Sequence, residues 1–199
     1  MDADCDLSSG AARLDAMRRR AAAKGIPLHG TLALTHRCNF RCIHCYVLPN
    51  ANPPSAELST ADWLSLAQEA ADAGCFSILL TGGEPLLRED FAEIYLGIRK
   101  MGIHVILFTN ASRVDARAVE ALVAAPPRLI EVTVYGATPE TYRRVTGRAE
   151  AHAETLRGLA LLREAGLPVR LKDGIDATQP PRVRSHPRVG GRGGTRPAL

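Results

Sequence analysis

The sequence has no long apolar run, few aromatic residues and little net charge outside residues 173–199. No stretch reaches the roughly 18 consecutive apolar residues that a membrane-spanning helix requires. The first thirty residues include Arg18, Arg19 and Arg20 but lack the apolar centre of a signal peptide. We therefore expect a cytoplasmic protein that is neither secreted nor bound in a membrane.

The basic charge is concentrated at one end of the chain. The formal net charge is +4, and residues 173–199 contain five arginines and two aspartates, so three of the four net charges belong to that segment. Aromatic residues make up only 5% of the chain. A folded basic face interleaved with aromatic side chains is therefore not predicted, and we expect no nucleic acid partner. The segment also contains five glycines, four prolines and no aromatic residue, a composition that predicts disorder.

Five cysteines are present, and three of them stand within eight residues at C-x-x-x-C-x-x-C spacing: Cys38, Cys42 and Cys45. Three thiolates on one loop can converge on a metal centre, whereas disulfides need pairs, and disulfides are rare in a reducing compartment. Of the other two, Cys5 is interpreted as a terminal thiol and Cys75 as a small buried apolar residue. The triplet is therefore the candidate metal site.

Short apolar runs alternate with longer amphipathic stretches from Thr31 onward. The runs predict strands at residues 31–35, 76–80, 104–109, 129–135 and 167–172, with helices between them that end at Gly or Pro. Such alternation is typical of an α/β fold with a parallel sheet. We expect an N-terminal extension over 1–29, a core domain over 30–172 and a disordered tail over 173–199.

Unusual residues follow four of the predicted strands. The cysteine loop leaves the first strand, Gly82-Gly83-Glu84-Pro85 follows the second, Asn110 follows the third, and Thr133 with Tyr135-Gly136 closes the fourth. In parallel α/β folds the loops that leave the carboxyl ends of the strands meet at one edge, where active sites are found. The sequence therefore predicts one site built from these loops.

Two metal centres are compatible with the three thiols. A closed four-coordinate zinc site would need a fourth ligand, which His36 or His44 could supply. A cluster of four irons and four sulfides held by three cysteines instead leaves one iron open to a small molecule. Beside it, the Gly82-Gly83 backbone can approach a ligand closely because it lacks Cβ atoms, and the Glu84 carboxylate can accept hydrogen bonds from an ammonium group.

These residues resemble the radical S-adenosylmethionine (radical SAM) superfamily. Its cluster motif is matched by Cys38, Cys42 and Cys45, and its motif for the methionine amino group by Gly82, Gly83, Glu84 and Pro85. The resemblance implies a [4Fe-4S] cluster and S-adenosylmethionine as cofactors, in an incomplete parallel (β/α) barrel of four to five βα units. It also implies reductive cleavage of S-adenosylmethionine to a 5′-deoxyadenosyl radical, with His44 near the adenine and Thr133 near the ribose or carboxylate.

Three further segments, Cys42 to Tyr46, Val134 to Ala137 and Tyr142 to Gly147, resemble the branch that carries a C-terminal auxiliary-cluster (SPASM) domain. Members of this branch modify ribosomal peptides or mature sulfatases, so the resemblance implies a peptide or protein substrate and an external electron donor. The family barrel has six units, whereas the pattern here stops near Lys172, where we hypothesise an interrupted coding sequence. The alternative function is a truncated, catalytically inactive fragment that at most binds an iron–sulfur cluster. A zinc-binding nucleic acid module is a third hypothesis.

Overall fold

The computed structural model describes residues 7–45, 47 and 57–173. The predictions for Cys5 and for the segment from Gly174 onward lie outside these residues. The predicted helices and strands of the core domain lie within them, except for part of the loop that follows Cys45.

Five parallel strands form one sheet and confirm the predicted α/β fold. They are β1 (His29–Ala33), β2 (Ser77–Thr81), β3 (His104–Thr109), β4 (Leu129–Val134) and β5 (Val169–Asp173). Each strand pairs with the next in the chain, so the order in the sheet is β1-β2-β3-β4-β5. Sequential order is that of a (β/α) barrel wall, whereas doubly wound sheets reverse direction at an internal strand.

Helices provide the crossovers between the strands. They are α1 (Leu7–Ala23), α2 (Thr60–Asp72), α3 (Phe91–Lys100), α4 (Ala116–Ala124), α5 (Pro139–Thr146) and α6 (Glu150–Glu164). A capping box opens α2, in which Ser59 and Asp62 satisfy each other's backbone N–H groups. A 3₁₀ turn, Pro85–Leu87, separates β2 from α3. No helix in the described ranges combines the length and apolar character needed to cross a membrane.

Four of the five strands differ from their predicted bounds: β2 lies one residue later, β4 ends one residue earlier, and the larger differences are in β1 and β5. β1 begins at His29 rather than Thr31, because the His29 ring lies 2.6 Å from the Ser77 hydroxyl and pairs with β2 through polar groups that an apolar pattern does not reveal. β5 begins at Val169 rather than Leu167 and ends at Asp173, one residue inside the predicted tail. In β5 the charged Arg170 pairs with Glu131 of β4, at 2.5 Å, so polar contacts again set the position of an outer strand.

The main apolar core lies between the sheet and its helices. Central strand residues such as Leu80, Val105 and Leu107 are fully buried, and they pack with Ile94 and Ile98 of α3. A second, smaller cluster forms at the carboxyl edge of the sheet and contains Phe40, Tyr135, Tyr142, Val145 and Ala151. This second cluster supports the cysteine loop from below, because Cys38 and Cys42 pack against it.

Helix α6 approaches the loop after β3 at a glycine. A Cβ atom built on Gly158 would lie 1.8 Å from the carbonyl oxygen of Ala111, and the Thr155 hydroxyl donates a 3.0 Å hydrogen bond to the carbonyl of Asn110. The close approach lets α6 hold the backbone that follows β3, where one of the predicted site residues lies.

We expect Gly158→Ala to lower the free energy of unfolding by roughly 1–3 kcal/mol, because the added methyl group must displace the Ala111 backbone. Gly10→Ala is the matched control, since Gly10 is also helical but a Cβ there meets nothing within 4 Å. The control should keep or raise stability through its better helix propensity. Urea unfolding followed by circular dichroism compares the two, and equal midpoints would contradict the close packing.

Candidate metal centre

A pocket of about 310 Å³ opens at the carboxyl edge of the sheet, near the lower end of the usual range of roughly 300–1,000 Å³ for ligand sites. The cysteine loop forms one wall, and residues at the ends of β2, β3, β4 and β5 form the others. The residues predicted at the site that line it are Cys38, Cys42, His44, Cys45, Gly82, Gly83, Asn110, Thr133 and Tyr135. The loops therefore meet as the parallel strand order predicts.

All three cysteines of the loop line the pocket. Alternate residues from Cys38 to His44 line it and Cys45 follows directly, whereas Arg41 and Ile43 do not line it. The loop is fixed to α5 by two backbone hydrogen bonds of 2.9 Å, from the N–H of Arg41 to the carbonyl of Thr146 and from that of Ile43 to Val145. This backbone attachment keeps the cysteine side chains on the pocket side.

Burial controls the protonation of two of the three thiols. It raises the pKa of Cys38 to about 11 and raises the pKa of Cys42, while the Phe40 N–H donates a 3.4 Å hydrogen bond to Cys38 Sγ and acts in the opposite direction. Both thiols therefore carry protons at neutral pH, and metal binding must displace them. Such sites favour a cationic centre that compensates the buried thiolates.

The three sulfur atoms share the pocket without converging on one point. Among the described residues, no three His, Cys, Asp or Glu side chains lie close enough together to hold a single metal ion. A cubane cluster presents separate irons to separate thiolates, so it requires three half-buried thiols around one cavity rather than one common centre. The residues present fit that requirement.

The glycine loop after β2 lies directly against the start of the cysteine loop. The Gly83 N–H donates a 2.7 Å hydrogen bond to the carbonyl of Thr35, and the Glu84 N–H donates one of 2.8 Å to the carbonyl of Arg37. A Cβ on Gly82 would lie 2.4 Å from the Thr35 oxygen, and one on Gly83 would lie 2.3 Å from the Arg37 oxygen. The contact between the two loops therefore requires both glycines, in addition to any close approach to a ligand.

Glu84 is fully buried and faces the end of β3. Its carboxylate accepts hydrogen bonds of 2.7 Å from the Thr109 hydroxyl, 2.7 Å from the Asn110 N–H and 3.1 Å from the Leu86 N–H. Burial raises the pKa of Glu84, although these hydrogen bonds oppose the shift. The carboxylate does not line the pocket, and the buried Pro85 begins the 3₁₀ turn behind it. Two of the three donors act on Oε1, which leaves Oε2 able to accept a further one.

Aromatic side chains close the floor of the pocket. Their common centre is Tyr135, which the sequence predicts at the site without assigning it a role there. Its ring centroid lies 5.5 Å from that of His44, 6.3 Å from that of Phe40 and 5.7 Å from that of Tyr142. The Tyr135 side chain also hydrogen-bonds Cys42, and burial raises the pKa of the tyrosine far above its ordinary value. The phenol is therefore a neutral donor next to a candidate metal ligand.

Polar groups occupy the opposite wall. Thr133 and Asn110 line it, and the Asn110 amide donates a 3.2 Å hydrogen bond to the side chain of Asn39. The Lys172 ammonium lies 4.9 Å from the centre of the Phe108 ring at the end of β5. Neither Lys172 nor Phe108 belongs to a motif, so the sequence does not predict either residue at the site. The strand register brings both to the pocket.

A polar network joins the two ends of the segment that contains the cysteines. Glu57 accepts hydrogen bonds from the Thr35 hydroxyl and from the Arg37 guanidinium, the latter at 3.0 Å and 3.2 Å. The buried Arg88 donates to the carbonyls of Leu34, at 3.0 Å, and Leu58, at 3.1 Å, and also binds Asp90 at 2.6 Å. Residues on both sides of the cysteine segment are thus held to the turn after β2.

The fold and the pocket together define an α/β protein whose ligand site lies at the carboxyl ends of parallel strands, with three thiols on one wall. A family model described as the radical SAM superfamily matches residues 32–177. The chain belongs to that superfamily. Membership implies a [4Fe-4S] cluster and S-adenosylmethionine as cofactors.

The relatives in this family include proteins named for two different activities, a heme synthase and a peptide cyclase. The chain is 35% identical over 138 residues to an AdoMet-dependent heme synthase of Methanosarcina barkeri, covering 69% of this chain and 40% of that protein. It is 32% identical over 146 residues to a PqqA peptide cyclase of Granulibacter bethesdensis, covering 73% and 39%. The chain thus spans about two fifths of the length of these curated relatives.

Solved structures share the fold. SuiB of Streptococcus suis bound to S-adenosylmethionine superposes with a TM-score of 0.65 at 20% identity, covering 79% of this chain and 37% of that one. The anSMEcpe structure with bound AdoMet gives a TM-score of 0.62 at 18% identity, covering 73% and 43%. At these identities the comparison concerns the fold alone.

We expect Glu84→Gln to lower the free energy of unfolding by roughly 1–3 kcal/mol, because the amide NH₂ cannot accept from the donors that the carboxylate now satisfies. Glu89→Gln, at an exposed position five residues after Glu84, is the matched control and should change stability little. Urea unfolding measures both variants. Equal stability of the two would contradict the role of Glu84 in joining β2 to β3.

A second prediction concerns Asp90, whose pKa is lowered from 3.8 to about 2, chiefly by hydrogen bonds from Arg88. Its ionised form therefore stabilises the fold above pH 3.8, and that contribution is lost as the pH falls through about 2. We expect Asp90→Asn to be less stable than the wild type at neutral pH, with a difference that shrinks over this acidic window. Unfolding curves at several pH values test it, and a constant difference would contradict the linkage.

Proposed function

We propose that this chain binds a [4Fe-4S] cluster through Cys38, Cys42 and Cys45, binds S-adenosylmethionine in the same pocket, and starts radical chemistry on a peptide or protein side chain. The observation that carries the proposal is the meeting of the three thiols with the Gly82-Gly83 backbone around one cavity. Family membership supplies the identity of the two ligands.

When bound and reduced, the cluster supplies the electron that cleaves S-adenosylmethionine to a 5′-deoxyadenosyl radical. The chain's own residues bind and orient these two ligands and shield them from water. The three thiolates hold the iron, and the Tyr135 hydrogen bond to Cys42 orients that ligand and withdraws charge from its sulfur. The aromatic floor formed by Phe40, Tyr135 and Tyr142 excludes water from this side of the pocket.

The opposite wall orients the small molecule. Gly82 and Gly83 expose backbone to the pocket and are assigned to the methionine end of the ligand, whereas the buried Glu84 carboxylate does not line the pocket and acts by fixing the position of the loop. Thr133 offers a hydroxyl for the ribose or carboxylate region, and His44 offers a ring for the adenine. Glu84 also fixes the Asn110 backbone, so that the ends of β2 and β3 keep a constant separation around the ligand.

The peptide or protein substrate is proposed from the similarity to the PqqA peptide cyclases and from the segments that resemble the SPASM branch. An external one-electron donor completes the proposed reaction. The similarity to the heme synthase makes a tetrapyrrole the competing substrate class, which product analysis with each class of substrate distinguishes.

Anaerobic reconstitution with iron and sulfide should give visible cluster absorbance and about four irons per chain. Cys42→Ala should lose both, because it removes one of three ligands. Cys75→Ala is the control, since Cys75 is buried in the core and its thiol donates to the carbonyl of Ser77, outside the pocket. One bound zinc without sulfide would instead indicate the zinc site.

The cleavage step is tested on the same preparation with a chemical reductant and S-adenosylmethionine. Formation of 5′-deoxyadenosine in the wild type and its loss in Cys42→Ala support the enzyme. An intact cluster that yields no 5′-deoxyadenosine contradicts catalysis by this chain and supports the alternative, a fragment that binds a cluster without turnover.

A further inference from the structure

A closed ring of three polar side chains lies beside the first cysteine of the loop. The Asn39 amide donates a 2.8 Å hydrogen bond to the Ser112 hydroxyl, and that hydroxyl donates one of 2.6 Å to Asn110 Oδ1. The Asn110 amide in turn donates a 3.2 Å hydrogen bond to Asn39 Oδ1. Asn110 and Ser112 are buried, and Asn39 directly follows Cys38 in the chain. The ring therefore joins the end of β3 to the start of the cysteine loop.

The ring fixes the orientation of the Asn110 amide. The backbone N–H of Ser112 donates a 2.9 Å hydrogen bond to Asn110 Oδ1. Because a backbone N–H can only donate, the side-chain atom that it meets must be the amide oxygen, and the NH₂ group must occupy the other position. The Asn110 donor is therefore turned toward the cysteine loop.

Two N–H groups are directed at the sulfur of Cys38. The Asn110 NH₂ group has two hydrogens: Asn39 Oδ1 accepts one, and Cys38 Sγ lies 4.0 Å from the same nitrogen, at the long end of the range for a hydrogen bond to sulfur. The backbone N–H of Phe40 is the second donor, at 3.4 Å. A candidate metal ligand thus receives a side-chain donor that is itself held in place by hydrogen bonds.

The backbone that carries Asn110 is held independently of this side chain. Its N–H donates a 2.7 Å hydrogen bond to Glu84, and its carbonyl accepts one of 3.0 Å from the Thr155 hydroxyl. The amide can therefore be replaced while the loop keeps its main-chain attachments. This separates an effect of the amide on the metal centre from an effect on the fold.

We propose that Asn110 is a positioning residue that acts through Cys38 and raises the reduction potential of the cluster. The inference rests on the proposed function, since it takes Cys38 as a ligand of a [4Fe-4S] cluster. Hydrogen bonds to a ligating sulfur withdraw negative charge from it. Reduction adds one electron and forms or breaks no covalent bond, so a donor stabilises the more negative, reduced state. Ser112 and Asn39 contribute by holding the donor in place.

Asn110 also lines the pocket, so direct contact with S-adenosylmethionine is the competing role for its side chain. The two roles change different quantities. A donor to sulfur changes the reduction potential before any small molecule binds, whereas a contact to S-adenosylmethionine changes the affinity for that molecule. The potential measured without S-adenosylmethionine therefore distinguishes them.

The test is a potentiometric titration of the reconstituted full chain without S-adenosylmethionine. Dithionite and mediator dyes set the ambient potential, and electron paramagnetic resonance measures the reduced fraction of the cluster. At the wild-type midpoint, Asn110→Leu should lower the ratio of reduced to oxidised cluster roughly threefold, which is about 28 mV for a one-electron couple. Leucine has nearly the shape of asparagine, so it removes the donor without making room for water beside the sulfur.

A second variant and a matched control use the neighbours of Asn110. Ser112→Ala removes the hydroxyl from the ring and should shift the ratio in the same direction but less, because the Ser112 N–H still holds Asn110 Oδ1. Thr155→Val is the control, since it removes the hydrogen bond to the Asn110 carbonyl and leaves the amide in the ring. It should lower stability in urea and leave the midpoint potential unchanged.

The outcomes separate the two proposals. Failure of the wild type to assemble a cluster overturns the proposed function and this inference with it. An unchanged midpoint in Asn110→Leu with about four irons per chain overturns the inference and leaves cluster binding intact. An equal shift in Thr155→Val does the same, because it would make the effect structural.

Two further results bear on the inference alone. Weaker binding of S-adenosylmethionine by Asn110→Leu at an unchanged midpoint overturns it in favour of direct contact. If Asn110→Leu cannot hold a cluster, Ser112→Ala decides: a lowered midpoint supports the inference, and an unchanged one overturns it. Iron content and circular dichroism show whether each variant keeps its cluster and its fold.

Discussion

The backbone contact between the glycine loop and the cysteine loop is the constraint on which the rest of the site depends. Two hydrogen bonds, from Gly83 to Thr35 and from Glu84 to Arg37, join the segments, and no side chain fits between them at Gly82 or Gly83. Because one segment follows β1 and the other follows β2, the contact continues the strand pairing beyond the sheet. The sheet therefore sets the position of the three cysteines.

Glu84 extends the same linkage to the third strand and beyond. Its carboxylate binds Thr109 and Asn110 at the end of β3, and the Asn110 carbonyl accepts a hydrogen bond from Thr155 of α6. The loops of three successive strands and a helix that covers the sheet are thus connected by buried polar contacts. A buried carboxylate with three donors is costly to rearrange, so the pocket walls keep their relative positions.

The cysteine loop combines half-buried thiols on one side with an exposed side chain on the other. Its thiols are half-buried, and burial raises the pKa of Cys38 and Cys42, which favours a cationic centre that can replace their protons. Yet the loop is thin enough that Ile43, between two of those cysteines, is largely exposed. A single layer of backbone thus separates the pocket from the exposed outer surface of the loop.

Local signals in the sequence determined the parallel α/β architecture, the sequential strands and the identity of the three thiols and the glycine loop, because apolar periodicity and fixed spacing act over a few residues. β1 and β5 begin about two residues away from their predicted starts, because each pairs through polar groups with a neighbouring strand. The partners, Ser77 and Glu131, lie far from these strands in the chain, so the local apolar pattern does not reveal the pairing. Only the tertiary structure decided that both glycines meet the cysteine loop, that Glu84 faces β3, that Tyr135 contacts Cys42, and that Lys172 reaches the pocket. These facts depend on register and on contacts between distant segments, which no local pattern in the sequence encodes.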